Sequence, residues 1–146
     1  MLPIARTIVP DVIREQRLVT LSTDDTVHAA VDLMAERRIG AVPVVDKGRL
    51  VGIFTERDVV TRVVRGSHDP QETTLGTVMT PDPETLAPGD TVREALDLMQ
   101  EGHFRHLPVL DGDRLIGIVS IRDLYRSVVD QMGADIILLA EGLLQG

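Results

Sequence analysis

Two aspartates, Asp58 and Asp123, each follow a hydroxyl side chain by three residues, Thr55 and Ser120 respectively. A carboxylate can accept two hydrogen bonds from the 2′,3′-diol of a ribose, which is a charge-assisted and geometrically demanding contact. A hydroxyl group and the N–H groups at the start of a helix can face a phosphate, helped by the helix dipole. The same spacing is also typical of a capping box, here with Asp in place of the usual Glu. The two roles can coexist at one residue.

The chain contains an internal repeat. Residues 19–64 align with residues 84–129 at a constant offset of 65 without a gap, and 21 of these 46 positions are identical. Chance would give only a few identities at one register, so we interpret the two segments as copies of one structural unit. The two aspartates occupy matching positions in these copies.

Each copy predicts a short leading strand, near residues 19–21 and 84–86, followed by an amphipathic helix. Asp-Thr pairs at residues 25–26 and 90–91 supply the N-cap chemistry for that helix. Its apolar residues recur at i, i+3, i+4 and i+7 and predict one buried stripe. These residues are Val27, Ala30, Val31 and Met34, matched by Val92, Ala95, Leu96 and Met99.

A hairpin and a second helix complete the predicted unit. Two short apolar runs separated by turn residues predict the hairpin, at residues 41–45 and 50–54 and at residues 107–110 and 115–119. The proline in each first run should lie at a strand start or edge, because it cannot donate to the ladder. The second helix is expected from about Glu56 or Ile121. Its apolar stripe is Val59, Val60, Val63 and Val64 in the first copy and Leu124, Val128 and Val129 in the second.

The predicted fold class is therefore α+β, built from tandem β-α-β-β-α repeats with pseudo-twofold symmetry and sheets packed together. One unit of about 45 residues would be marginal alone, so we expect the two to share a core. The predicted divisions are a lead-in (1–18), a first motif (19–66), a linker (67–78), a second motif (79–130) and an apolar helical tail (131–146). The tail is expected to pack on a partner subunit or on the flank of the module.

Composition excludes several classes of protein. The formal net charge is −8 and aromatic residues make up 2%, which disfavours binding to a phosphate backbone and to single-stranded nucleic acid. The chain has no cysteine, which excludes disulfides and thiolate sites. No apolar stretch approaches the ~20 residues of a membrane span, so a soluble cytoplasmic protein is expected. His103, His106 and Asp111 do not converge on one point by their spacing, and no base with an orienting partner is evident, so neither a metal site nor a catalytic site is expected.

Three motifs, each matched in both copies or placed before one, carry a family resemblance. GIFTERD at residues 52–58 matches GIVSIRD at 117–123, IGAVPVVD at 39–46 matches FRHLPVLD at 104–111, and VMT at 78–80 precedes the second copy. At these residues the sequence resembles the CBS (cystathionine-β-synthase) domain pair, also called the Bateman module. The resemblance covers most of the chain, roughly residues 9–129.

The resemblance implies clefts between the two units that hold adenosyl ligands, among them AMP, ADP, ATP, S-adenosylmethionine and NAD-type molecules. It also implies a regulatory role. The residues outside the repeats are too few for an attached enzyme, so the expected protein is the free-standing kind, a homodimer that modulates an unknown protein partner in trans. No cofactor is expected beyond the regulatory ligand.

The implied nucleotide-binding residues fall into three groups. The sugar and phosphate would meet the signature residues and the basic residues that break the second apolar run. Adenine would lie against backbone groups and small apolar residues of the strands, with threonines near the mouth. The sugar and phosphate group is Thr55, Arg57, Asp58, Ser120, Arg122, Asp123, Arg105 and His106. The adenine group is Gly40, Ala41, Val42, Pro43, Leu107 and Pro108. The threonines near the mouth are Thr20, Thr80 and Thr85.

The two copies differ in charge beside the expected clefts. Arg105 and His106 stand where the first copy has Gly40 and Ala41. The second copy is therefore the better candidate for a phosphorylated ligand, which favours AMP, ADP or ATP over S-adenosylmethionine with its sulfonium cation. Two alternatives remain open at this point: a ligand-independent dimerisation scaffold with degenerate clefts, and an enzyme acting on a nucleotide.

Overall fold

The two repeats fold into matching sets of elements. The computed structural model describes residues 6–145, with side chains described through residue 143. The first repeat contains β1 (Leu21–Ser22), α1 (Val27–Arg37), β2 (Ala41–Asp46), β3 (Arg49–Thr55) and α2 (Glu56–Asp58), which continues as a π-helical segment (Val59–Val64). There follow α3 (Leu75–Val78), β4 (Thr80–Pro81), α4 (Val92–Gly102), β5 (His106–Asp111), β6 (Arg114–Ser120) and α5 (Ile121–Gln145). The predicted α+β class with tandem repeats is confirmed.

Each repeat is built around an antiparallel hairpin. In the first repeat the strand order is β1-β2-β3-β4, with β1 parallel to β2, and in the second repeat β5 pairs with β6. The leading strand is very short in both copies. Leu21 pairs with Val44 and, at the matching positions, Leu86 forms an isolated parallel bridge with Val109.

The proline of each hairpin lies inside its strand rather than at the strand start, on the edge strand β5 in the second repeat but on the internal strand β2 in the first. Pro43 and Pro108 are the third residues of β2 and β5 and stand opposite Ile53 and Ile118. The carbonyl oxygen of Pro108 accepts from Leu86 N at 2.9 Å. The backbone nitrogen of a strand residue faces the same side as its carbonyl, so the missing N–H of proline points towards the short leading strand, and no ladder bond within the hairpin is lost.

The first helix of each repeat is capped and buried as its sequence predicts. The hydroxyl oxygens of Thr26 and Thr91 accept from the backbone N–H groups of Ala29 and Glu94, each at 3.1 Å. The residues of the predicted stripe lie in the core, with Val31 and Leu96 partly buried at its edge.

Only part of the apolar stripe predicted for the second helix of each repeat is buried. Val63 and Leu124 are fully buried, whereas Val60, Val64 and Val129 are each about two-thirds exposed. Adjacent residues on a helix point about 100° apart, so one half of the stripe faces the core and the other faces outward. The apolar tail is a direct continuation of α5, which runs unbroken to Gln145.

Two segments outside the repeats each complete the core of one repeat. Ile8 and Ile13 of the lead-in are buried in the core of the second repeat, and Leu75 and Val78 of the predicted linker are buried in the core of the first. We call these segments, residues 6–16 and 73–81, the N-terminal strap and the central strap. The expected common core is thus divided into two clusters, one in each repeat, each completed by a strap.

Candidate ligand-binding crevice

A crevice of about 1220 Å³ opens between the two repeats. It is lined by both signature segments and by the residues that precede β2 and β5, since all of these lie at the same ends of the two hairpins. Thirteen of the predicted nucleotide-binding residues line it: Gly40, Ala41, Pro43, Thr55, Arg57, Asp58, Thr80, Arg105, His106, Leu107, Ser120, Arg122 and Asp123.

Four predicted site residues are not among those that line the crevice. Val42 is fully buried in the core of the first repeat. Pro108 is a buried residue of β5, and its carbonyl oxygen accepts from Leu86 N. Thr20 lines a separate cavity of about 550 Å³ beside the hairpin turns. Thr85 stands next to Glu84, which does line the crevice. Alternation along a strand explains Val42, because neighbours of a lining residue point to the opposite face.

Both signature aspartates form reciprocal capping boxes. Asp58 Oδ2 accepts from Thr55 N at 3.0 Å, and Thr55 Oγ1 accepts from Asp58 N at 3.2 Å. In the second repeat Asp123 Oδ2 accepts from Ser120 N at 2.9 Å, and Ser120 Oγ accepts from Asp123 N at 3.1 Å. Each box fixes the turn from strand to helix and uses one carboxylate oxygen.

The second oxygen of the carboxylate differs between the repeats. Asp58 Oδ1 lies 3.5 Å from Arg62 Nε, and Asp58 is only 6% exposed. Arg62 in turn donates from Nη1 to the carbonyl oxygen of Met79 at 2.8 Å. Among residues 6–145, no basic side chain lies within ion-pair distance of Asp123, which is half-buried at the crevice wall.

One arginine of the signature segments joins the two repeats. Arg57 Nη1 donates to the carbonyl oxygen of His103 at 2.6 Å. His103 ends α4 in the left-handed conformation with φ of 57°, which leaves its carbonyl turned out of the helix. The matching pair would be Arg122 and Arg38. Arg38 has the same backbone conformation, but in the described chain Arg122 makes no such bond.

His106 occupies the space that Gly40 leaves open. A Cβ atom on Gly40 would lie 3.1 Å from His106 Nε2, so a larger residue there would crowd the imidazole. Burial lowers the pKa of His106 from its ordinary value of 6.5, against the opposing effect of the nearby Glu56 and Asp123 carboxylates. A carboxylate of each repeat thus acts electrostatically on this one imidazole.

Arginines dominate the charged lining of the crevice. In the part of the chain that the structure describes, eight arginines and five carboxylates line it, although the whole chain carries 15 basic and 23 acidic residues. Sequence reasoning missed five of these arginines: Arg17, Arg37, Arg38, Arg62 and Arg126. Arg17 lies in the lead-in, Arg37 and Arg38 lie at the end of α1, and Arg62 and Arg126 lie in the helices that follow the signature segments, so only the fold brings them together.

The family model for the CBS domain matches the chain twice, at residues 9–65 and 75–130. Among curated proteins, the chain is 37% identical over 115 residues to the CBS domain-containing protein CBSX3, mitochondrial, of Arabidopsis thaliana. That match covers 75% of this chain and 56% of the relative. The chain thus spans little more than half the length of that relative.

Solved structures show the same architecture. A protein with CBS domains from Burkholderia ambifaria MC40-6 superposes with a TM-score of 0.80 at 38% identity, over 85% of this chain and 94% of that one. CBSX2, crystallised in complex with AMP, superposes with a TM-score of 0.72 at 25% identity, over 87% and 98%. With both repeats matched in sequence and in fold, the chain belongs to the CBS domain family, as a protein with two CBS repeats.

Proposed function

We propose that this protein binds an adenine nucleotide, AMP, ADP or ATP, in the crevice between its repeats as a regulatory ligand, and that it catalyses no reaction itself. The observation that carries this proposal is the excess of arginine around the crevice of an otherwise acidic chain. Such a local positive field attracts a phosphorylated ligand and would give nothing to a sulfonium cation. A volume of about 1220 Å³ exceeds the ~300–1,000 Å³ of common ligand pockets, so a nucleotide fits.

The proposed contacts follow from the lining. The ribose diol bonds to Asp123, whose Oδ2 also serves the capping box, and the phosphate meets Arg105, His106 and Arg122. The adenine ring lies against strand residues such as Leu107. The complex of CBSX2 with AMP supports a nucleotide in a related fold.

Titration calorimetry and thermal shift with AMP, ADP and ATP test this proposal, with S-adenosylmethionine and NAD as comparison ligands. We expect at least one adenine nucleotide to bind and to raise the melting temperature. Asp123→Asn should lose much of this thermal shift. Asp113→Asn removes the same charge at an exposed hairpin turn outside the crevice and should keep the shift. No heat and no thermal shift with any of these ligands would refute nucleotide binding.

The proposed regulatory unit is a homodimer held by α5. The exposed face of this helix carries apolar residues at alternating spacings of four and three, which is the heptad pattern of a coiled-coil seam. These residues are Tyr125, Val129, Met132, Ile136, Leu139 and Leu143, each between 56% and 84% exposed in the single chain. The β-branched residues Val129 and Ile136 alternate with Met132 and Leu139, and this combination favours a parallel coiled coil of two helices.

Two glycines within α5 support a partner for this helix. Gly133 and Gly142 each cost roughly 1 kcal/mol in a helix relative to alanine. An exposed tail with this composition is stabilised when a second copy of α5 covers the seam. Nucleotide binding would then bias the orientation of the two repeats, and a partner protein would respond to that orientation.

A ligand-independent dimerisation scaffold is the second candidate function. The observation that favours it is that both signature carboxylates already have a structural partner, namely their own capping boxes. A protein that dimerises through α5 but gives no heat with any nucleotide would select this candidate.

Within the described residues, no helix combines the length and apolarity that crossing a bilayer requires.

A further inference from the structure

We infer that the crevice binds one nucleotide per chain, at Asp123, and that Asp58 anchors the central strap instead of binding a second ribose. This inference rests on the proposed function and specifies which half of the crevice performs it. The two aspartates match in sequence, but their surroundings assign them different tasks.

The carboxylate of Asp58 is already committed at both oxygens. Oδ2 accepts from Thr55 N, and Oδ1 pairs with Arg62 Nε at 3.5 Å. Arg62 Nη1 donates to the carbonyl oxygen of Met79 at 2.8 Å, so the chain of contacts runs from the signature segment to the central strap. A ribose diol at Asp58 would have to displace this arginine from a carboxylate that is 6% exposed.

The second repeat holds its strap without using the signature aspartate. Ser127 stands at the position of Arg62 and accepts from Arg6 Nη1 at 3.4 Å, while Arg6 Nε donates to Gln131 Oε1 at 2.7 Å. Gln16 adds two hydrogen bonds to the backbone of Ile118, at 2.8 and 2.9 Å. The N-terminal strap is therefore anchored elsewhere, and Asp123 Oδ1 remains available to the crevice.

The cationic groups proposed to bind phosphate also differ between the two repeats. Arg57 is committed to the carbonyl of His103 across the crevice. Arg122 makes no equivalent bond in the described chain, and Arg105 and His106 stand where the first repeat has Gly40 and Ala41. Among residues 6–145, a free carboxylate and free cations thus coincide only in the second half of the crevice.

Stoichiometry and a matched pair of variants test the inference. Titration of the full chain with the adenine nucleotide that binds best should give one site per chain. Asp123→Asn should weaken binding by about 10-fold or more, because the amide keeps the cap and loses the charged acceptor. Asp58→Asn, the same change at the matching position, should alter the affinity by less than about threefold.

Other outcomes distinguish failure of the single-site inference from failure of the proposed function. Two sites per chain, or affinity lost in Asp58→Asn and kept in Asp123→Asn, would overturn the single-site inference and leave nucleotide binding intact. Absence of binding in the parent would refute the proposed function and the inference together. If Asp58→Asn does not fold, the stoichiometry of the parent and the effect of Asp123→Asn still decide between one site and two.

Discussion

Arg57 of the first repeat donates to the carbonyl oxygen of His103 in the second at 2.6 Å, and the matching pair Arg122 and Arg38 does not repeat this bond. The contact spans the crevice where β3 turns into α2. A pair of repeats with 21 identical residues in 46 is therefore joined asymmetrically. The asymmetry is a property of side chains, since the left-handed ends of α1 and α4 match closely in φ.

Replacing Arg57 should loosen the contact between the repeats. Arg57→Ala removes a charged donor from a backbone acceptor, so we expect the free energy of unfolding to fall by about 0.5–1.5 kcal/mol. Arg122→Ala is the matched control and should change it by less than about 0.5 kcal/mol, because Arg122 is exposed and makes no side-chain bond within residues 6–145. Urea denaturation of the ligand-free protein measures both. Equal effects would show that the bond to His103 contributes nothing.

The two signature aspartates should contribute unequally to stability. Asp58→Asn removes the ion pair with Arg62 and weakens the anchor of the central strap, which should cost about 1–2 kcal/mol. Asp123→Asn should cost less than about 1 kcal/mol, because the amide oxygen of Asn can still accept from Ser120 N and no ion pair is lost. Thermal unfolding without ligand compares them directly. A larger loss for Asp123→Asn would contradict the different tasks assigned to the two side chains.

The architecture of each repeat could be predicted from the sequence because its determinants are local. Thr26 and Thr91 cap helices whose apolar residues keep one period, and the hairpin runs are bounded by turn residues. The capping boxes of Asp58 and Asp123 were one of the two interpretations of the spacing. These features involve residues at most a few positions apart, so a single chain suffices to identify them.

The rest depended on contacts between distant segments. Nothing in the spacing around Ile8 indicates that the lead-in packs against the second repeat, and Arg62 lies outside the short segments that carry the family resemblance. Apolar patterning also could not separate the buried half of the second helix from the exposed half, because Val59, Val60, Val63 and Val64 are equally apolar. Partner choice among apolar faces is set by tertiary packing, which a pattern along one chain does not encode.

The N-terminal strap should be essential for stability despite its place before the first repeat. Ile8 is fully buried in the core of the second repeat, so Ile8→Ala should cost about 2–4 kcal/mol through lost burial and the cavity left behind. Leu75→Ala is the counterpart in the central strap and should have a similar effect. Arg14→Ala, at an exposed position of the same segment, is the control. Unfolding midpoints unchanged by Ile8→Ala would show that the strap is dispensable.

The exposed seam of α5 should determine the oligomeric state. Leu139→Glu places a charge in the proposed dimer core and should convert a dimer into a monomer at micromolar concentration, measured by sedimentation equilibrium. Ala134→Glu adds the same charge at an exposed position off the seam and should leave the dimer intact. A parent that is monomeric at tens of micromolar, or equal effects of both variants, would exclude α5 as the interface.

Because of His106, the free energy of unfolding of the ligand-free protein should increase as the pH is raised towards neutrality. Burial lowers the pKa of this imidazole in the folded chain below 6.5, so the unfolded state binds more protons in the window below that value. The free energy of unfolding therefore falls as the pH drops below about 6.5. His106→Gln should flatten this part of the profile, which urea denaturation at a series of pH values measures.

A bound phosphate should reverse the sign of this dependence for ligand affinity. The phosphate stabilises the imidazolium and raises the pKa of His106, so the complex takes up protons and affinity weakens as the pH rises through that pKa. Calorimetry in buffers of different ionisation enthalpy measures the uptake. Because the phosphate itself titrates near pH 6, the relevant quantity is the difference between the parent and His106→Gln. Identical proton uptake in the two proteins would place the phosphate away from His106.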